Sequence, residues 1–285
     1  MQNVIEIEQS RDSIHWKNLS IVIIFHLLTI VALFVFSWEN LLAMLFVNWI
    51  VISLGIGLGY HRLLTHRSFK APKWLEYTMT VCGSMAIQDD APRWVATHRI
   101  HHAFTETDKD PHSTRPGLFW AHMGWVLKGT AQDYDEAVLK KYVPDLMKDK
   151  FHVLFAKYYY VPLIVSAFLF YALGGWSMVL WGVFLRVVVG WHTTWFVNSL
   201  AHIFGKRPFK TKDDSTNNWF VAILTFGEGW HNNHHAFPTS ARHGLKWYQF
   251  DMNWLTIQIF KRLGWATNIR LFDVDKPAAE FKKAA

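Results

Sequence analysis

The chain has 285 residues, of which 51% are hydrophobic and 18% charged, with 16 Trp, 22 Phe and 9 Tyr. That composition excludes a disordered chain, and a single cysteine, Cys82, excludes an intrachain disulfide, an iron–sulfur cluster and a cysteine-based zinc site. The formal charge of +7 leaves nucleic acid, a membrane surface or an acidic partner open, and 16 histidines make metal binding the first chemistry to test.

Residues 19–36 and 41–59 are uncharged runs, each about the 20 residues that cross roughly 30 Å of hydrocarbon. No small-residue cleavage site follows the first run, and four residues separate it from the second. The pattern predicts a retained helical hairpin, not a signal peptide. Residues 75–87 are apolar but too short to span, so they are expected to lie along the interface or re-enter. A second hairpin is predicted from 158–173 and 176–197, joined by Gly174-Gly175 and carrying Arg186 and His192 among apolar neighbours. An ionisable group inside a span is a functional candidate. Residues 245–264 mix Trp, Tyr and Leu with Lys and Arg, as an interfacial amphipathic helix does.

The Lys and Arg residues number two before residue 19, fourteen in 60–157 and twelve in 198–285, with Arg186 the remaining one. Under the positive-inside rule both termini and both long segments, 60–157 and 198–285, are cytoplasmic. Topology thus accounts for the basic balance, and no nucleic-acid partner is expected.

Three histidine clusters stand out: His61-Arg-Leu-Leu-Thr-His66, His98-Arg-Ile-His101-His102 and His231-Asn-Asn-His234-His235. Residues at i, i+3 and i+4 share a helical face, so at least two histidines of each later cluster can aim at one point. The i, i+5 pair His61 and His66 would stand about 140° apart on a regular α-helix. They either straddle a helix end or serve different metals. Eight imidazoles exceed what one zinc takes, which points to a binuclear site, and imidazole alone does not choose among iron, copper, nickel and zinc. Only Glu228-Gly-Trp-His231 matches the Glu-x-x-His motif of ferritin-type di-iron bundles, so Glu228 is read as a partner that orients a ligand histidine.

These residues resemble the membrane-bound fatty acid desaturases with three histidine boxes, in particular the stearoyl-desaturase-like and cyanobacterial delta-9 acyl-lipid group. The resemblance rests on 59–69, 98–102, Asp108-Lys-Asp110-Pro-His112, Asn198-Ser-Leu-Ala-His202 and 227–237. It implies that His61, His66, His98, His101, His102, His202, His231, His234 and His235 hold two iron ions, with Asn198 holding a water bound to one of them. On a continuing helix Asn198 and His202 would face the same way. The implied reaction is O2-dependent removal of two vicinal hydrogens from a saturated acyl chain, giving a cis double bond at the delta-9 position. No side-chain acid, base or nucleophile can abstract such hydrogens, so the metals must carry the chemistry.

The expected fold class is an all-α integral membrane protein, with four transmembrane helices in two hairpins and a helical cytoplasmic cap holding a di-metal site, all within one domain, 1–285. A dry tunnel should receive the acyl chain, with Trp94 and Trp125 as wall candidates. Val95-Ala-Thr97 before His98 replaces the charged pair of animal acyl-CoA enzymes, which favours a lipid-linked chain over a CoA-linked one. Arg93 and Arg115 are candidates for holding a headgroup. Gln88-Asp-Asp90 departs from the Gln-Gly-Gly pattern of cyanobacterial members, and Asp89 and Asp90 are read either as acceptors for histidine N–H groups or as turn carboxylates. His15, His26, His112, His122, His152, His192 and His243 match no box; His26 and His192 are suited to hydrogen-bonding neighbouring helices. With no Cys-x-x-Cys-His, His-Pro-Gly-Gly or Gly-x-Gly-x-x-Gly, a separate ferredoxin or cytochrome b5-type electron donor is implied. The nearest enzyme alternative is a histidine-box hydroxylase or alkane monooxygenase; the alternative outside enzymes is a membrane metal transporter or sensor.

Overall fold

The computed structural model describes residues 12–129 and 133–272. Among them the regular structure is helical apart from isolated β-bridges such as Lys70 with Thr267. Helix α1 (Trp16–Leu33) begins where the His15 side chain accepts from the Asn18 amide, and α2 (Trp38–Asn48) where Ser37 accepts from the Asn40 amide. Without a break α2 becomes a π-helix, Trp49–Thr65. There follow α3 (Lys73–Ser84), α4 (Ala91–Phe104), a π-turn leading into α5 (Trp125–Leu127), and the short α6 (Glu136–Tyr142), α7 (Pro144–Met147) and α8 (Lys150–Ala156). Helix α9 (Val161–Val179) runs through a π-turn into α10 (Arg186–Asn198), and α11 (Trp219–Leu224), α12 (His231–Ala236) and α13 (Met252–Arg262) complete the cap.

Among the described residues, three helical runs are long and apolar enough to cross a membrane: Trp16–Leu33, Trp38–Thr65 and Val161–His202. The expected first and second spans are separate runs here, and the expected third and fourth fall within one continuous helical run. The third run has 42 residues and kinks at Gly174 (φ −153°) and Gly175 (φ 65°), where the sequence predicts two separate spans. Two adjacent glycines supply the backbone freedom for that kink, because φ near +65° carries a steric cost for any residue with a Cβ. The second run extends past the expected end at residue 59 and carries His61 inside its own helix. The ends of the chain, including the tail 275–285, lie outside the described residues.

Helix α1 shows its surroundings in its exposure: Ile23, Ile24, Leu27, Ile30 and Val31 are all exposed, and Phe34 just after it is 83% accessible. An apolar face of this extent marks a membrane-contacting surface. The π-helical part of α2 is its opposite, buried at every position from Val51 to Thr65 except Leu54. Helix α3 lies along it, with the two backbones in direct contact at Gly55 and Gly83. Glycine is needed there because a methyl on Gly55 would fall onto the backbone of Gly83.

Arg186 is fully buried beside the end of α3, donating to the carbonyls of Gly182 (3.0 Å) and Met85 (3.0 Å). Met85 caps the C-terminus of α3, so the guanidinium sits where the helix dipole is negative and its carbonyls lack partners. His26 and His192 bond each other (3.0 Å), and His192 bonds His122 (2.9 Å), which reaches Ser199 (3.0 Å). That chain links α1, the turn before α5, and α10. His152 ties α8 to α3 through Glu76 (3.0 Å). Only 252–262 of the expected 245–264 helix forms; its outer face carries exposed Leu255 and Ile259, while Trp247 is 92% accessible in the preceding loop.

Gly55→Ala should force α3 off α2. The expected loss is about 1–3 kcal/mol of stability, read as a lowered unfolding midpoint in detergent, whereas Gly117→Ala, where a methyl meets no atom within 4 Å, should show only the smaller cost of a positive φ.

Candidate metal centre

The π-helix settles the placement of the first cluster. Its hydrogen bonds close five residues back, as in His66 N–H to His61 C=O (3.1 Å), so residues five apart stack on one face. The His61 and His66 rings lie 4.8 Å apart at the end of the helix and point into the same site, which excludes the separate-metal alternative.

Two histidine groups result. His61, His66, His98, His102 and His234 form one, and His101, His202, His231 and His235 the other; within each, one nitrogen per ring lies within 4.8 Å of all the others. The later clusters divide by helical geometry. On α4 the i, i+4 pair His98 and His102 faces the five-histidine group while His101 faces the other; on α12 the pair His231 and His235 faces the four-histidine group while His234 crosses over. Each α-helix therefore serves both positions. Asn198 ends α10, and His202 follows on a 3-10 turn, Leu200–His202, so the expected continuous helix between them does not form.

The nitrogens fit metal ions. Nε2–Nε2 separations are 3.2 Å for His61–His234, 3.0 Å for His234–His102, 3.1 Å for His102–His98, and 3.0 Å for both His202–His231 and His231–His235. Two imidazoles bound at right angles to one ion, with bonds of about 2.1 Å, would stand about 3.0 Å apart. The buried Nε2 atoms of His66 and His101 have no hydrogen-bond partner, as ligand atoms would not. Five donors in one group exceed the four of a structural zinc. Burial first, then the neighbouring rings, holds His66, His98, His102, His231, His234 and His235 well below the usual histidine range, keeping them neutral as ligation requires.

Behind the rings stand carboxylates. The Nδ1 atoms of four histidines meet them: His61 to Glu228 (2.6 Å), His101 to Asp110 (2.9 Å), His202 to Glu106 (3.1 Å) and His235 to Asp213 (3.1 Å). Each contact fixes ring orientation and directs Nε2 inward. Burial alone would raise Glu106, but its bonds with His202, Ser113 and Thr114 hold it at about 2. Asp110 and Glu228 are likewise held low against burial, by His101 and by Arg62 respectively. The His112 ring packs at a tilt against His101, 4.3 Å between centroids, and His243 lies 3.1 Å from Glu228, so two of the unassigned histidines belong to this surrounding layer.

Glu228 has the orienting role its motif suggests, but its partner is His61 of the first cluster, not the neighbouring His231. Arg62, with no exposed surface, donates to Glu228 (2.8 and 3.0 Å) and to Asp251 (2.8 and 3.2 Å). Asn253 adds a bond to Glu228 (2.6 Å) and accepts one from Ser53 (2.6 Å). Sequence reasoning missed Arg62, Glu106, Asp213, Asp251 and Asn253. Glu106, an acidic residue four positions after His102 in the turn that follows α4, carried a usable signal; Asp213, in a polar loop, carried none.

A cavity of about 350 Å³ opens beside the metal positions. His98, His112 and Asn198 line its inner part; Trp94, Trp125, Trp191, Trp195, Ile21 and Val22 form its walls. Trp94 donates to Gln88 (3.3 Å), which donates to Thr194 (3.0 Å), bracing α4 against α10 along the wall. Arg93 lines the cavity but is paired with Asp90. Arg115 does not line it and pairs with Asp214 (2.7 Å). Neither Asp89 nor Asp90 contacts a clustered histidine: Asp90 caps α4, accepting from the Arg93 amide (3.0 Å), and Asp89 lines the cavity.

The fatty acid desaturase family model matches residues 36–266. The chain belongs to the fatty acid desaturase family. It is 46% identical over 269 residues to an sn-1 stearoyl-lipid 9-desaturase of Anabaena variabilis, covering 93% of this chain and 97% of that one. It is 44% identical to an sn-2 palmitoyl-lipid 9-desaturase of a Nostoc species, covering 90% of each, and 42% identical to an icosanoyl-CoA 5-desaturase of Limnanthes douglasii, covering 90% and 72%. The protein is a membrane-embedded, O2-dependent oxidoreductase acting on fatty acyl chains, and its two histidine groups are positioned to chelate a di-iron centre.

Arg62→Leu would leave Glu228 and Asp251 buried without their cation. A loss of about 3–5 kcal/mol in stability is expected, measured by thermal unfolding, together with reduced iron content measured by mass spectrometry.

Proposed function

We propose that this protein introduces a cis double bond, at the delta-9 position, into a saturated acyl chain carried on a membrane glycerolipid. The observation that carries the reading is the adjacency of two histidine groups to the inner part of a cavity walled by tryptophans. His61, His66, His98, His102 and His234 would hold one iron and His101, His202, His231 and His235 the other, with Asn198 placed to hold a water at one of them. When bound, the irons supply the oxidising power to remove two unactivated hydrogens with O2 and two electrons.

The chain's own residues do the rest. The Trp walls exclude water from the alkyl chain, and the Gln88–Trp94–Thr194 brace holds the cavity in one shape, so that one pair of carbons rests beside His98. The carboxylates behind the rings hold four Nδ1 protons in place and keep Nε2 free for metal. The outer part of the cavity supports a lipid carrier. Asp89 and Asp133 line it with Lys17 and Arg93, and Arg93 is already neutralised by Asp90, which ill suits the phosphates of CoA.

Reading Val161–His202 as two arms about its Gly174-Gly175 kink gives four spans in two hairpins. The distribution of Lys and Arg then puts both termini and the metal centre in the cytoplasm, and the whole chain forms a single desaturase domain. Electrons come from a separate ferredoxin or cytochrome b5-type protein.

Expression in cells whose lipids are saturated, with a ferredoxin system present, should produce monounsaturated chains with the double bond at C9. His98→Ala and His234→Ala should abolish them. Hydroxylated chains without alkenes would overturn the reaction in favour of a hydroxylase, and activity surviving both substitutions would overturn the ligand assignment.

A further inference from the structure

At the outer part of the cavity, neighbouring aspartates have different fates. Asp90 is fully engaged, capping α4 and pairing with Arg93. Asp89 faces the cavity, half-buried, and its Oδ1 accepts from the Asp90 amide (3.0 Å), while among the described residues its Oδ2 makes no hydrogen bond. Its backbone has φ +82°, a conformation that costs an aspartate free energy and that glycine adopts freely. That conformation sets the carboxylate in the wall where the chain turns from α3 into α4. The lining groups around it are Lys17, Arg93, Asp133, Tyr159 and His15, of which Lys17 is exposed and Asp133 lies 3.8 Å from His15.

We propose that Asp89 is the headgroup-selecting residue of this cavity, accepting hydrogen bonds from the hydroxyls of an uncharged glycosyl headgroup and disfavouring a phosphate-bearing one. A carboxylate with a free oxygen is a strong acceptor for sugar hydroxyls, and an unpaired carboxylate beside a phosphodiester is repulsive at short range. Burial, then the Asp90 charge, pushes Asp89 up to about 7, so its repulsion of a phosphate is fully present only above neutral pH. The inference rests on the acyl-lipid reading above and adds to it which side chain reads the headgroup.

The test uses the iron-loaded protein with ferredoxin in liposomes of saturated monogalactosyldiacylglycerol or saturated phosphatidylglycerol. Both headgroups carry hydroxyls, and only the second carries a charge. Wild type should prefer the galactolipid. Asp89→Asn should shrink the galactolipid-to-phospholipid ratio of kcat/KM by about tenfold, mainly through a lower KM for phosphatidylglycerol. Asp89→Gly should do the same and also raise KM for the galactolipid, while unfolding no earlier than wild type because glycine suits φ +82°. A ratio within twofold of wild type in both variants would overturn the role of Asp89 alone. Wild type that leaves both lipids saturated yet desaturates stearoyl-CoA would overturn the acyl-lipid reading itself.

Discussion

A guanidinium without access to water cannot stand without partners, and Arg62 finds them in Glu228 and Asp251, brought from far along the chain. Asp251 also accepts from the amides of His243 and Gly244 and caps α13 at Trp254. One buried cation thus joins the end of α2, the turn before α12 and the start of α13. Because Glu228 bonds His61 as well, the same network that closes the cap aims a ring at the metal position. Stability and metal geometry are properties of one set of charges here.

The two metal positions arise from a mismatch of periods. In the π-helix the i, i+5 pair converges, whereas on α4 and α12 the i, i+4 pairs converge and the i+3 residue turns aside. Were all three clusters on identical helices, their eight rings would not divide into five and three, with His202 as the fourth member of the second group. The crossing of His101 and His234 between groups ties the two positions together, so neither metal site can shift without moving a ligand of the other.

Apolar surroundings explain much of the remainder. Arg186 satisfies carbonyls at the end of α3 where water is scarce, and the His26–His192–His122 chain satisfies polar groups across the spans. The close contact of α2 and α3 at Gly55 and Gly83 is the packing solution open to helices that gain little from burying apolar side chains in lipid.

The sequence by itself determined the apolar runs, the clustering of basic residues outside them, the eight histidines of the three clusters and the family they resemble. These are local: run length, charge position and spacing within a few residues carry them. Only the tertiary structure decided that His61 and His66 share a site, since spacing read on an α-helix sends them apart and nothing in the sequence announces a π-helix. It also decided which carboxylate stands behind each ring. Glu228 sits three residues before His231 yet bonds His61, and Asp213 reaches His235 from a loop that reads as solvated. A hydrogen-bond partner for a buried imidazole is chosen by the packing of distant segments, and that choice is made in space, where sequence spacing no longer measures distance.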